Sequence, residues 1–294
     1  MDKKKSIAII GSNGQLGNDL RKLFLLEKNI SLFSLTHQDI EITKPESIKN
    51  AFSEIDPDII INTAAYNKVD AAEEFPNEAF LINGIGNKNL AEFCQTHKKT
   101  LAYISTDYVF GMDEKREKPY IETDPTGPLN TYGISKLVGE YFVRYTCKKH
   151  FVIRTCGLFG TSSSSGKGYN FVELMLRFAK ERKHVRVVND QIVSPTYTVD
   201  LARQIIKLLD TDSFGLYHAT SLGQCSWYDF AKEIFSLTNT HVRCDSIFTV
   251  DFPTPARRPH FSVLENYNLD KLNINIMPDW KIGLQRYLKE KRYI

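Results

Sequence analysis

Along the first 155 residues, short runs of apolar and β-branched residues alternate with stretches whose apolar residues recur every three or four positions. "SIAIIG" reads as a strand, and Leu16, Leu20, Leu23 and Phe24 follow it at helical spacing. "ISLFSLT" predicts a second strand. "KPESIKNAFSEI" predicts a helix with its proline near the start, where the missing N–H costs nothing. "PDIIINTAA" is almost wholly apolar, as expected of a strand buried on both faces of a parallel sheet. "PNEAFLINGIGNKNLAEFCQTH" has helical periodicity weakened by Gly84 and Gly86. "TLAYISTDYVFG" predicts a fourth strand, "LNTYGISKLVGEYFVRYT" a long helix and "FVIRTCGLFG" a fifth strand. Strands separated by helices predict an α/β fold built on a doubly wound parallel sheet.

Beyond residue 160 the rhythm loosens. "TSSSSGKG" is a loop by composition, "YNFVELMLRFAKER" an amphipathic helix and "VRVVND" a strand. "TVDLARQIIKLLD" predicts a helix, "GLYHAT" a strand and "SWYDFAKEIFSLT" a further helix. "DFPTPARRPHFSVL", with three prolines and two adjacent arginines, reads as an extended loop. The pattern predicts a nucleotide-binding domain over 1–155, to which the chain returns around 185–215, and a smaller α/β substrate domain formed mainly by 156–294. The cleft between them is the expected ligand site.

Composition narrows the classes. At 294 residues, 42% apolar and 25% charged, the chain has the make-up of a soluble globular protein. A net charge of +3 is too small to imply nucleic acid, and Lys3, Lys4 and Lys5 read as a solvated N-terminus. No apolar stretch approaches the ~20 residues that cross a bilayer. The run "IAII" near the start is too short for a signal peptide. The cysteines Cys94, Cys147, Cys156, Cys225 and Cys244 are odd in number and widely spaced, which argues against a disulfide framework or a zinc site. Reduced thiols and a cytoplasmic location are expected.

Three motifs carry chemistry. In "GSNGQLG", between the first strand and an amphipathic helix, Gly11 can make a tight turn and Gly14 can let the backbone approach a pyrophosphate. Gly17 can bring the helix close to the sheet. Asp39 and Glu41 stand where an acidic residue would bond an adenosine ribose, or either could cap the following helix. No arginine flanks them for a 2′-phosphate, which favours NADH without excluding NADPH. In "TYGISK", Tyr132 and Lys136 share one helix face, and an ammonium beside a phenol lowers its pKa toward use as an acid–base. In "YISTDYVF", Ser105, Thr106 and Asp107 fall at a strand's C-terminal end, where Thr106 can hydrogen-bond a carbonyl that Tyr132 protonates.

With these motifs in this order the chain resembles an extended short-chain dehydrogenase/reductase, and more narrowly the dTDP-4-dehydrorhamnose reductases. "INTAAYNKVDAAE", "PLNTYGISKLVGE", "NDQIVSPTYTVDLA" and "ARRPHFSVLENYNL" extend the similarity to about residue 269. The resemblance implies a Rossmann-like sheet, a hydride from NADPH or NADH, and reduction of the 4-keto group of a nucleotide-linked 6-deoxyhexose. It implies Thr106, Tyr132 and Lys136 as catalytic residues. The dinucleotide would lie against Gly11, Asn13, Gly14, Gln15 and Leu16, against Ala64, Ala65 and Tyr66, and against Tyr132 and Lys136. Asn67, Val69, Thr106, Asp107 and Tyr132 would face the sugar. Asn170, Gln191 and Arg258 would line the sugar-nucleotide side, the arginine offering a planar fork of donors to a diphosphate. Some members carry magnesium at a dimer contact; no carboxylate cluster here requires it, and a homodimer is compatible with the sequence.

One departure concerns the pocket. Many of these reductases read Arg-Thr-Ser-Trp where this chain has "RTCG", so Gly157 removes an apolar wall. A different sugar could fit, or the "SSSSGKGYNF" loop, with Tyr169, could fill the gap. Related dehydratases need an Asp-Glu pair after the threonine, but Tyr108 follows Asp107. A rival of another class is a non-catalytic regulator like the methionine adenosyltransferase β subunit, which would bind the dinucleotide without consuming it.

Overall fold

The computed structural model describes residues 4–162, 168–182 and 184–294. The expected loop residues 163–167 lie outside that set, as does Lys3. In chain order the first half comprises β1 (Lys5–Ile10), α1 (Gln15–Phe24), β2 (Ile30–Leu35), α2 (Pro45–Ala51), β3 (Ile59–Asn62), α3 (Val69–Glu74), α4 (Pro76–Ala79), a π-helical segment (Phe80–Ile85) and α5 (Gly86–Thr96). Next come β4 (Thr100–Thr106), α6 (Thr131–Thr146), β5 (His150–Thr155) and β6 (Leu158–Phe159). The second half comprises α7 (Phe171–Glu181), β7 (His184–Val188), β8 (Ile192–Val193), β9 (Thr196–Tyr197), α8 (Thr198–Leu209), β10 (Gly215–His218), β11 (Cys225–Ser226), α9 (Trp227–Leu237), β12 (Arg243–Ile247), α10 (Tyr267–Lys271) and α11 (Trp280–Glu290).

Six strands form one sheet in the order β10-β5-β4-β3-β1-β2, and every pairing is parallel. Alternation of side chains gives it two buried faces. Ile7, Ile9, Ile59, Ile61, Ile104 and Ile153 point to the side covered by α1 and α8. Ala8, Ile10, Ile60, Leu101, Tyr103 and Val152 point to the side where Leu90, Ala91 and Cys94 of α5 and Val143 of α6 pack. Late in the chain α8 covers one face of this sheet and "GLYH" supplies its sixth strand. The remaining C-terminal elements surround their own core, in which Phe159, Val172, Met175, Phe230, Ile234, Trp280, Leu284 and Tyr287 are buried.

Two local departures from the sequence pattern have physical causes. "FVIRTCGLFG" is broken: β5 ends at Thr155, Gly157 takes φ +55°, and β6 leaves the sheet to pair with β9. The glycines that weaken the helix after α4 mark the π-helical segment, which lies between residues of ordinary helix. A glycine at 84 or 139 lets this helix and α6 touch: a Cβ at Gly84 would lie 3.2 Å from Val138, and one at Gly139 only 2.3 Å from the Asn83 carbonyl oxygen.

The sheet order reverses direction between β1 and β3, the switch point outside which open α/β sheets bind ligands. α1 is drawn tightly into this point. A Cβ on Gly17 would lie 2.2 Å from the Gly11 carbonyl oxygen. We expect Gly17→Ala to cost about 1–3 kcal/mol through overpacking, read as a lower urea midpoint, whereas an unchanged midpoint would show that α1 shifts freely.

Candidate active site

Gly11 turns the chain at φ +78°, with the Ala64 amide nitrogen 2.9 Å from where a Cβ would stand. Gly14 is the N-cap of α1 and provides no side-chain cap, and no acidic residue occupies the first turn. The helix thus presents its positive end and backbone donors at the switch point, the arrangement that suits a phosphate. Asn13 is exposed beside it, while Leu16 is buried in the core and can meet a ligand there through its backbone alone. The Gln15 side-chain oxygen accepts from the Gly160 amide at 2.8 Å, which ties the loop to the second half of the chain.

Neither acidic residue after β2 caps α2, whose N-cap is Lys44. Asp39 closes its own turn, accepting from the Thr36 amide and hydroxyl, each at 2.7 Å, and the amide bond above all holds its carboxyl below the usual range. Glu41 accepts from the Thr43 amide at 3.2 Å and hydroxyl at 2.9 Å. Asp39 is exposed, so a ribose hydroxyl can still reach it.

Residues 63–67 leave β3 and are held by an asparagine ladder that no motif announced. Asn62 accepts from the Ala64 amide at 3.0 Å and donates to Asn87 at 2.8 Å; Asn87 donates to the Asn83 carbonyl at 2.8 Å. The Asn83 side chain takes both polar groups of the Tyr66 backbone at 2.9 and 3.0 Å and donates to Ser135 at 2.9 Å. Ser135 in turn donates to the Tyr132 carbonyl at 2.7 Å. The loop carrying Ala64, Ala65 and Tyr66 is therefore fixed to the helix turn carrying Tyr132. The readable signal was Asn83 and Asn87, four apart and so on one side of the helical stretch, where both are buried.

Thr106 ends β4 and Tyr132 lies in the first turn of α6, a helix started by Asn130, whose side chain accepts from the Gly133 amide at 2.8 Å. The Thr106 hydroxyl donates to Asp107 at 3.0 Å and accepts from the Tyr108 amide at 3.2 Å. Tyr108 meets Tyr132 edge-on, with ring centroids 6.0 Å apart. The Lys136 ammonium donates to the Ile104 carbonyl at 2.6 Å and lies 4.3 Å over the Tyr103 ring. The electrostatics reverse the expectation for the tyrosine. Desolvation pushes the Tyr132 phenol up to about 12, against a hydrogen bond with Thr106 that pulls it down. Desolvation also brings Lys136 down to about 7, opposed by Glu140. In a site this dry, loss of water outweighs the charge that the spacing alone puts beside the phenol.

Asp107 is buried, accepting from Ser262 at 2.6 Å and Cys156 at 3.1 Å, and burial raises its carboxyl above the ordinary range despite these donors. Asn67 and Val69 stand half-buried at the start of α3. Arg258 bridges to Asp70 on α3 at 2.8 Å and donates to the Ala256 carbonyl at 2.9 Å. Two residues expected on the sugar-nucleotide side have bracing roles. Asn170 caps α7 through its oxygen, and its amide group donates to Gly160 at 2.9 Å and Tyr287 at 3.1 Å. Gln191 is buried and donates to Thr249 at 2.9 Å. Tyr169 does not fill the space at Gly157; its ring lies under the Arg177 guanidinium at 4.4 Å. The residues beside Gly157 are Pro195, whose Cα is 3.3 Å from the place a Cβ would take, and Trp227, with a ring carbon at 3.4 Å. Among the described residues no cluster of His, Cys, Asp and Glu is arranged to hold a metal ion, and no helix is long and apolar enough to cross a membrane.

Comparison with known proteins adds to this geometry. The family model described as RmlD substrate binding domain matches residues 5–293. The chain is 37% identical over 285 residues to the spore coat polysaccharide biosynthesis protein SpsK of Bacillus subtilis, with 97% of each covered. It is 35% identical over 298 residues to the dTDP-4-dehydrorhamnose reductase of Escherichia coli, again with 97% of each covered. The crystal structure of the dTDP-4-dehydrorhamnose reductase of Bacillus anthracis in complex with NADP superposes with a TM-score of 0.92 at 40% identity, covering 98% of this chain and 99% of that one.

The buried ammonium has a consequence for stability. Lys136 has a folded-state pKa of about 7 against an ordinary 10.5, so between these values the unfolded chain binds the extra proton and stability rises with pH. Below pH 7 the penalty for burying the charge is complete. Lys136→Met should therefore be more stable than the parent at pH 6, and the gap should close as pH rises toward 10. Urea midpoints measured across that range check this; a gap that does not change with pH would mean that Lys136 titrates normally.

Proposed function

The chain belongs to the RmlD family of dTDP-4-dehydrorhamnose reductases, and from this premise we propose that it reduces dTDP-4-dehydro-L-rhamnose to dTDP-L-rhamnose with NADPH or NADH. When bound, the reduced dinucleotide supplies hydride to C4 of the sugar. The α1 N-terminus, Gly11 and Gly14 receive its pyrophosphate, Asp39 its adenosine ribose, and the 64–66 loop one edge. Residues 1–155 together with α8 and β10 form the dinucleotide-binding part, and the remainder holds the sugar nucleotide.

The proton comes from Tyr132. The phenol is protonated at neutral pH and gives its proton to the stronger base that develops at O4, the alkoxide. Thr106 turns its hydroxyl from Asp107 to the same oxygen and stabilises the charge. Lys136 reaches the nicotinamide ribose and offers a positive charge to the phenolate left behind. Asn67 and Val69 face the sugar, and Arg258 exchanges Asp70 for the diphosphate. The observation that carries the reading is the hydrogen bond between Thr106 and Tyr132 at the C-terminal end of β4, on the same sheet edge from which the glycine turn and the side-chain-uncapped α1 leave β1.

A homodimer is the assembly we propose. Ile134, Val138, Tyr141 and Tyr145 recur on the side of α6 opposite buried Lys136, Gly139 and Val143, and Tyr145 is 93% exposed. Leu81 and Ile85 continue this apolar surface on the neighbouring helix. Exposed Glu74 and Glu78 lie toward one end of the surface, and Arg144 and Lys148 toward the other. A two-fold axis across the helices would match the opposite charges.

Oxidation of NADPH and of NADH should be rapid with dTDP-4-dehydro-L-rhamnose and slow with GDP- or UDP-linked ketosugars. Tyr132→Phe should lower kcat by about 10²–10⁴-fold while cofactor affinity is kept. Turnover of another ketosugar alone would move the substrate and point to Gly157. Cofactor binding without turnover of any of them would favour the regulator. Sedimentation should give a dimer that Tyr145→Glu dissociates; a parent that is monomeric at high concentration would remove the assembly.

A further inference from the structure

One turn along α6 from Lys136 lies Glu140, and the two occupy the same buried face. A lysine and a glutamate four apart on a helix ordinarily attract one another, and in a water-poor interior the attraction grows. Yet the Lys136 ammonium is bonded to the Ile104 carbonyl. Both carboxylate oxygens of Glu140 are taken by other donors. Oε1 accepts from Arg154 Nε at 2.9 Å and from the Ser105 hydroxyl at 2.5 Å, and Oε2 accepts from Arg154 Nη2 at 2.7 Å.

Arg154 is itself held from behind. Its Nη1 lies 3.4 Å from His218 Nε2 on β10, while His218 Nδ1 faces the carbonyls of Tyr120 at 3.0 Å and Glu265 at 3.1 Å. Two carbonyl acceptors place the imidazole proton on Nδ1, so Nε2 accepts from the guanidinium. The ring stays neutral, since desolvation above all, and then the arginine's charge, lowers it to about 3. Glu122 anchors the far end, accepting from the His218 amide at 2.9 Å and the Asn268 amide at 3.1 Å. The groups facing Lys136 are thus Tyr132 and Glu140 from its own helix and Tyr103 from β4, with Arg154 of β5 and His218 of β10 behind Glu140.

We propose that Arg154 is a positioning residue for Lys136: by engaging both oxygens of Glu140 it prevents a Lys136–Glu140 ion pair and leaves the ammonium directed at the C-terminal end of β4. A bidentate guanidinium–carboxylate pair is stronger and more rigid than the point contact that a lysine makes. Without Arg154, Glu140 would be a buried carboxylate with one hydroxyl donor, and Lys136 would be the cation within reach. The pair would hold the lysine's proton and draw the side chain back along α6. The geometry is independent of the substrate, and only its catalytic consequence rests on the proposed reductase reading.

The test is to follow the Lys136 side chain directly in the full-length protein without cofactor. Lysines labelled with ¹³C at Cε are titrated by NMR, and the Lys136 signal is assigned by its loss in Lys136→Met. In Arg154→Met the titration midpoint should rise by about 1–3 units, the effect of an opposite charge at close range. In Arg154→Met/Glu140→Gln it should return to the parent value or below. Arg154→Lys, which keeps a cation but frees one carboxylate oxygen, should give a smaller rise and serves where Arg154→Met does not fold. A midpoint that stays at the parent value in every folded variant overturns the proposal. In turnover assays kcat should drop about tenfold in Arg154→Met and recover in the double variant, beyond what a loss of stability alone would do. A parent with no ketosugar-dependent turnover would sink the reductase reading while the NMR titration still decided the role of Arg154.

Discussion

Lys136 brings an ammonium into a place where it is 2% exposed, and most of the site follows from how that charge is accommodated. The Ile104 carbonyl and the Tyr103 ring give it one acceptor and one π-face, fewer partners than water would supply. The same dryness that lowers the lysine raises the neighbouring tyrosine. Both shifts run toward the uncharged form, the direction in which loss of water drives any ionisable group. A solvated version of the pair would hold the same residues at the same spacing without this tuning.

The scaffold around it works through close approach. α1 reaches the Gly11 turn because Gly17 has no side chain, and α6 reaches the helix beside it because Gly84 and Gly139 have none. These contacts bring the positive end of α1, the 64–66 loop and the first turn of α6 to one edge of the sheet. The asparagine ladder then locks the second of these to the third. Its members are buried polar groups whose hydrogen bonds are met by one another, which gives rigidity where an unmet amide would cost stability.

Around Arg258 and Gly157 distant segments of the chain meet. Arg258 is paired with Asp70, and the pair joins the late loop to α3. At Gly157 the chain passes close to the Pro195 backbone and to Trp227 of α9, so even a Cβ there would be tightly packed.

Much of this was legible in the chain. Short apolar runs and period-3.6 patterns marked the sheet and its helices, because a strand buried on both faces is apolar throughout and a helix buried on one repeats every 3.6 residues. The glycine loop and the Tyr132–Lys136 spacing marked the candidate site, since their geometry is local to a turn and to one helix face. What only the tertiary structure decided depends on residues far apart in sequence. "GLYH" could not be assigned to the first sheet from its own four residues, because its partner β5 lies some 60 positions earlier. Asn170 and Gln191, expected on the sugar-nucleotide side, bond Tyr287 and Thr249, partners that their own segments do not show. Arg154, a cation in the middle of a strand, had no visible partner until β4, α6 and β10 enclosed it. Local periodicity and spacing are written along the chain, but desolvation and the pairing of buried charges exist only once distant segments have excluded the water between them.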